Sequence, residues 1–424
     1  MIEFIGEIAY GIWQNMLLVI SWTWWILLPA WLLIIWWYFW KFYIQLFYLQ
    51  SQRWVLLEIK IPSDIEKTPK GMEQIFASFY AIYSFGLKVS EMYWQGRLEE
   101  DYVSLEMVGN AGSVHFFIRT PVNFRNLIES AIYAQYPQAE IFEAEDYTKQ
   151  FPNVLPNKTY DLWGTDYYFN NKNIFPIRTY EFFEGQVEEK RVDPLGNLIE
   201  VMSRLQKDEA LWVQILMMPA DSAWKDEAAA LRDKMLKRQA APKAPSLAGK
   251  AFEFGQHLAT APFGKSEWEK PKVPDKKEAG SLMHLSEGEK DMLKAVELKA
   301  SKLGFTCNLR FIYIDRRDSF TGLNVAATMS TFMQFNDLAS NGFRPNKQTM
   351  TKAKGIFKKS EMFYRKRMLY QNYLRLNFSP KTMILNTEEL ATLFHFPNFL
   401  VQAPAVERVE AKKAGPPTDL PIDR

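Results

Sequence analysis

The chain has 424 residues, with 51 basic against 49 acidic side chains, a formal charge of +2, and 48% hydrophobic residues. That length suffices for two or three domains, and the near balance of charge excludes a global field as the means of holding nucleic acid. A single cysteine, Cys307, excludes an internal disulfide, and His115, His257, His284 and His395 stand singly, without a partner at zinc-ligand spacing.

The first predicted element covers residues 8–40, which carry no charged side chain and eight of the fourteen tryptophans. These are Trp13, Trp22, Trp24, Trp25, Trp31, Trp36, Trp37 and Trp40, with Pro29 among them. An uncharged run this long reads as a transmembrane helix. One tilted crossing and a hairpin of two short spans bent at Pro29 both fit. Glu3 and Glu7 precede the run and Lys41, Arg53 and Lys60 follow it, which puts the N-terminus outside and the remainder in the cytoplasm. The expectation is a single-pass protein of the inner (cytoplasmic) membrane, with residues 1–50 as anchor and the lipid bilayer as partner.

Residues 51–150 predict a first domain. WVLLEIKIP (54–62) alternates like a strand, and MEQIFASFYAIYSF (72–85) repeats its apolar residues at helical spacing. YVSLEMVG (102–109) and SVHFFIRT (113–120) flank a Gly-Asn-Ala-Gly turn and read as a hairpin. A helix after Asn123 and a strand over 139–147 complete β-α-β-β-α-β, the ferredoxin-like plan. His115 lies within the apolar run of its strand and reads as structural.

The pattern restarts after a loop over 149–176. A strand over 177–185, a helix over 194–206 and a strand over 210–219 lead into an insertion, residues 223–303. A strand over 304–315, a helix over 320–338 and a closing strand over 381–386 follow. The fold class expected is α+β: a transmembrane helix, then two ferredoxin-like units, with the second (151–222 and 304–400) interrupted by the insertion. Within that insertion, 223–238 and 286–303 read as charged helices paired in a projecting hairpin. Ser286 and Glu289 form a capping box. Residues 240–280 have a linker composition. ATAPFGKS (259–266) is one residue short of a phosphate loop and lacks the strand and helix that loop requires. Residues 401–424 read as a Pro- and Lys-rich tail.

One segment departs from the overall charge balance. Residues 344–381 hold Arg344, Lys347, Lys352, Lys354, Lys358, Lys359, Arg365, Lys366, Arg367, Arg375 and Lys381, with Glu361 as the only acid. Phe357, Phe363, Tyr364, Tyr370 and Tyr373 are interleaved. Such a stripe suits a nucleic-acid backbone, anionic lipid headgroups or a partner protein, and equally a solvated helix face.

WVLLEIKIPSDIEKTPKGMEQIFASFYA (54–81), MILNTEELATLFHFP (383–397) and VERVEAKKAGPPTDLP (406–421) together resemble a known family. They are similar to the membrane-anchored N-terminal half of bacterial type IV secretion, conjugative coupling-protein-like ATPases of the FtsK and HerA superfamily. The resemblance implies a subunit of a DNA- or protein-translocating machine that tethers a partner ATPase. No residue here matches the motor's own motifs, so no catalytic, cofactor or metal residue is expected. The expectation is therefore a non-enzymatic membrane-anchored subunit, with a homo-oligomer and DNA as further partners. The alternative is a membrane-tethered nucleic-acid-binding protein acting through 344–381.

Overall fold

The computed structural model describes residues 2–62, 68–83, 87–97, 100–183, 193–235 and 286–397. The chain opens with a long helix, α1 (Ile2–Ser51), and enters a sheet at β1 (Trp54–Lys60), whose Val55, Leu57 and Ile59 point into one core. The first half continues through α2 (Lys70–Phe79), β2 (Val103–Asn110), β3 (Ser113–Pro121), α3 (Arg125–Gln135) and β4 (Glu140–Glu143). The second half comprises β5 (Tyr160–Phe169), α4 (Tyr180–Phe183), α5 (Gly196–Ser203), β6 (Ala210–Pro219), α6 (Ala223–Met235), α7 (Glu287–Ser301), β7 (Gly304–Arg316), α8 (Gly322–Met333) and β8 (Phe343–Pro345). The last described elements are α9 (Lys358–Leu374), β9 (Met383–Asn386) and α10 (Thr387–Leu393).

All of these strands join one nine-stranded antiparallel sheet, ordered β4-β1-β3-β2-β6-β7-β5-β8, with β9 on β7 beyond the end of β5. The two halves meet where β2 pairs with β6, Glu106 opposite Gln214 and Asn110 opposite Ala210. Strand order repeats across that seam, β4-β1-β3-β2 and β8-β5-β7-β6. The expected pair of separate ferredoxin-like units is nonetheless replaced by one continuous layer. The physical reason is in β2 and β6 themselves. Both are buried on both faces along nearly their whole length, and such a strand left at an edge would expose an unpaired ladder.

Helices α2, α3, α5, α8 and α10 cover one face of the sheet over the larger core. Helix α9 and residues 147–155 cover the other, around Trp212, Ile312, Leu369 and Tyr373. Two elements differ from the sequence reading. Of the residues expected as a strand over 177–185, Tyr180–Phe183 form the short α4, and the expected loop over 149–176 contains β5. Helix α3 begins from Phe124 with no side-chain cap, so Asn123 does not serve as expected.

Helix α1 corrects the membrane reading. Among the described residues, no helix is long and apolar enough to cross a membrane. This overturns the transmembrane anchor and the single-pass inner-membrane placement. The cause is compositional. The exposed surface of α1 mixes Trp13, Trp22, Trp24, Trp25, Trp31, Trp36 and Trp37 with aliphatic residues such as Leu32 and Leu33, and Pro29 lies inside the helix. Indole and phenol groups bear polar tips that hydrocarbon does not satisfy. The C-terminal end of α1 is tied to the domain. Ile44 is buried, Trp37 packs on Tyr93 with ring centroids 5.3 Å apart, and the Tyr48 hydroxyl donates to Asp101 at 3.2 Å. Gly96 (φ +74°) allows this approach, since a Cβ there would lie 2.2 Å from the Ile44 carbonyl oxygen.

The two described helices of the insertion are anchored rather than projecting. α6 and α7 pack together through Ala228 and Val296 against Ile174, and Ser286 and Glu289 close the capping box of α7. Residues 240–280, the near-phosphate-loop at 259–266 and the tail at 401–424 lie outside the described residues. From the last turn of α7, Lys299 is fully buried, and its Nζ lies 3.0 Å from Glu389 Oε2. Glu389 also accepts from the amides of Ile177 at 3.0 Å and Asn386 at 2.9 Å. Burial lowers the Lys299 pKa and raises that of Glu389, so desolvation outweighs their mutual attraction.

Lys299→Met therefore leaves a buried carboxylate unpaired and costs about 3–5 kcal/mol near neutral pH. Lys299 lowers the Glu389 pKa against the effect of burial, so without it the carboxyl takes up its proton at higher pH than in the parent, and the deficit relative to the parent chain shrinks toward about pH 5. Urea unfolding of both chains at the two pH values measures it; an unchanged deficit rules out the stranded carboxylate as its cause.

Candidate anion-binding face

The basic segment is built on β8, the loop after it and α9. Residues 346–351 run beside β5: the Asn346 amide donates to the Asp166 carbonyl at 2.7 Å, and that of Thr351 to the Gly164 carbonyl at 3.1 Å. The Thr349 and Thr351 hydroxyls accept from the Asp166 and Gly164 amides, each at 3.1 Å. Gly164 is required here, because a Cβ would meet the Phe311 carbonyl oxygen at 2.4 Å. Arg365 then reaches back from α9. Its Nη1 donates to the carbonyls of Lys347, Met350 and Lys352 at 2.7, 3.2 and 3.0 Å, and its Nη2 pairs with Glu361.

Two of the eleven cations of this segment are thus structural. Arg365 staples the loop to the helix, and the buried Lys366 donates to Asp161 at 2.7 Å over the Phe320 ring. Eight of the others, Arg344, Lys347, Lys352, Lys354, Lys358, Lys359, Arg367 and Arg375, are exposed. None of these eight forms an ion pair among the described residues. Ile356, Phe357 and Tyr364 stand between them, 97, 79 and 63% exposed.

The buried face of α9 rests on a row of polar side chains crossing four strands. Asp166, Arg310, Gln214 and Glu106 stand directly opposite one another in register. Arg310 donates to Asp166 at 2.9 Å and to Gln214 at 3.3 Å, and Gln214 donates to Glu106 at 3.4 Å. Glu106 also accepts from Arg119 at 3.3 Å and from the Tyr147 hydroxyl at 2.9 Å. Arg119 bridges to Asp146 at 3.0 Å; burial opposes that carboxyl's charge, but the guanidinium holds its pKa down to about 2. Tyr147 and Tyr373 share a 2.6 Å hydrogen bond, which joins α9 to this row.

Beside α9 opens a cavity of about 550 Å³. Tyr364, Met368 and Asn372 of the helix form one wall, and Gln45 of α1, Tyr102, Gln348 and Phe378 close the others.

The family described as a domain of unknown function, DUF8128, matches residues 45–408. The chain belongs to the DUF8128 family. No curated protein matches it. The DUF8128 match begins at Gln45, within the end of α1 that packs on the domain, and leaves most of that helix outside. The family's description carries no function, so it lends no support to type IV secretion or conjugation.

No group of three or more His, Cys, Asp or Glu side chains that could hold a metal occurs among the described residues. His115 accepts or donates at 2.8 Å to Glu58 and stacks on Phe117; His395 bridges the Ala391 carbonyl and Asp193. Cys307 is buried, and burial pushes its thiol pKa up. Sequence reasoning missed the polar row. Its local signals are Asn308 and Arg310 in β7, Gln214 in β6 and Glu106 in β2, polar side chains inside otherwise apolar strands.

Arg365→Met costs about 1–3 kcal/mol, through carbonyls left without a donor, and speeds trypsin cleavage at Lys347 and Lys352. Lys354→Ala stays within about 0.5 kcal/mol. Urea unfolding and timed proteolysis check both; equal resistance of the Arg365 variant and the parent sinks the staple.

Proposed function

We propose that this DUF8128 chain is a non-enzymatic binding protein whose face over Arg344–Arg375 holds the backbone of a nucleic acid. The observation that carries the reading is the set of eight exposed cations with no carboxylate partner among the described residues, interleaved with exposed Phe357 and Tyr364. Unpaired surface cations release phosphate counterions on binding, and exposed rings offer stacking platforms tolerant of sequence. The Arg365 staple adds preorganisation, since the loop that presents Lys347, Lys352 and Lys354 is already fixed.

A motor ATPase as partner is the second reading, favoured by the resemblance in 54–81 and 383–397. Those stretches supply core rather than surface: Leu57, Phe76, Leu390 and Phe394 are fully buried. They speak for a shared scaffold, and a docking surface has to lie elsewhere. Recovery of a phosphate-loop ATPase with the tagged full chain supports this reading, and recovery of the chain alone counts against it.

For the first reading, Glu is placed at Lys354, Lys358, Lys359 and Arg367 together. The parent chain loses more than tenfold in affinity for a labelled oligonucleotide between about 50 and 200 mM salt, and the variant loses most of that salt dependence. Fluorescence anisotropy reads both, with thermal melting to confirm that the variant folds. A parent chain that binds equally well at both salt concentrations, or not at all at the lower one, defeats the reading.

A further inference from the structure

We propose that the cavity beside α9 receives an unstacked base of a single-stranded nucleic acid, while cations at its rim hold the adjoining phosphates. This rests on the reading of the basic face above and names the class of nucleic acid that the face takes. The cavity's volume, about 550 Å³, falls within the range of small-molecule sites. Its chemistry is that of a neutral, flat, hydrogen-bonding ligand. No carboxylate lines it, and its one charged residue, Arg365, is already satisfied by three carbonyls and Glu361.

Aromatic and amide groups make up much of the rest. Tyr102, Tyr364 and Phe378 offer rings, and Tyr102 is braced edge-on against Phe378 at 5.2 Å and at a tilt against Trp54 at 5.1 Å. Gln45, Gln348, Asn372 and Asn377 bring amides, each of which carries both a donor and an acceptor and so can match the mixed edge of a base. The walls are preorganised by the polar row: the Thr349 hydroxyl accepts from the Asp166 amide at 3.1 Å, and the Asn377 carbonyl accepts from Arg310 at 2.6 Å.

The rim supplies the phosphate contacts. Lys347 adjoins Gln348 in sequence, Arg367 adjoins Met368, Arg375 adjoins Leu376 and Lys381 adjoins Pro380; each of the four cations is exposed and each neighbour lines the cavity. A base reaches such a site only outside a helical stack, so a single strand fits where a duplex first has to open.

The test compares three labelled probes of one length on the full chain at low salt: a single strand, the same strand with abasic sites, and a duplex. The parent binds the normal single strand about tenfold more tightly than either other probe, a stacking-sized preference. Gln348→Trp, which fills the cavity, and Tyr364→Ala, which removes an exposed ring, each bring the normal strand down toward the abasic one. Equal binding of normal and abasic strands, or tighter binding of duplex, overturns the pocket but leaves the basic face standing if binding stays salt-sensitive. A preference retained in both variants also overturns it. Absence of binding to all three probes removes both readings together, and preferential binding to anionic lipid vesicles assigns the face to another ligand.

Discussion

The Lys299–Glu389 pair sets what the rest of the fold can do. A single carboxylate there meets the last turn of α7, the first turn of α10, the end of β9 and the backbone at Ile177. Glu389 is also the N3 residue of a capping box with Asn386, so its own helix cap holds it as well as its tertiary partners. Around it, Lys302 links Glu388 to Glu73 of α2, both at 2.7 Å, and Tyr180 donates to Glu73 at 3.0 Å. The chain's late residues are thereby locked to its early ones. Desolvation makes the pair a poor source of net stability, so its contribution is better described as specifying which segments meet.

A second polar system specifies the sheet. The row from Asp166 to Glu106 sits in an otherwise apolar interior, and a shift of one residue at any of its strand pairings would move a charge to the opposite face. Such a slip would bury an unpaired arginine or carboxylate, a far larger penalty than misplacing a valine. The row thus fixes the register of the seam that merges the halves. Through Tyr147 and Tyr373 it also fixes where α9 lies, and with it the direction in which the basic face points.

Legibility in the sequence followed the range of the causes. β1, β2 and β3 have local causes: apolar alternation, and a tight turn in which Ala111 and Gly112 take φ of 47° and 86°. The cap of α7 was readable for the same reason. β5 was missed because its inward positions include Gly164 and Asp166, which only make sense beside Phe311 and Arg310, over a hundred residues later. Residues 177–183 carry strand-like alternation, but their amides are claimed by Glu389 and Thr392 of α10. On the candidate face, charge was visible and orientation was not. Nothing near Arg365 or Lys366 announces that one would turn to the loop carbonyls and the other to Asp161. In α1, the absence of charge outweighed the polar tips of its tryptophans, and the membrane reading failed on that point.

The near-zero formal charge conceals how charge is distributed in space. Many carboxylates are consumed inside or at the margins of the fold: Glu106 and Asp166 in the polar row, Asp161 by Lys366 and Arg317, Glu388 and Glu389 by the lysines of α7 and the residue after it. Several cations are spent the same way, but among the described residues the segment from Arg344 to Lys381 contributes only Arg365 and Lys366 as cations to ion pairs. Its remaining cations stay in water, where a phosphate backbone can displace their counterions. A field too weak to read from the sum of the sequence is therefore concentrated on one face. The same fold places a carboxylate-free, aromatic-lined cavity against that face, bringing attraction for a backbone and shelter for a base within reach of the same strand.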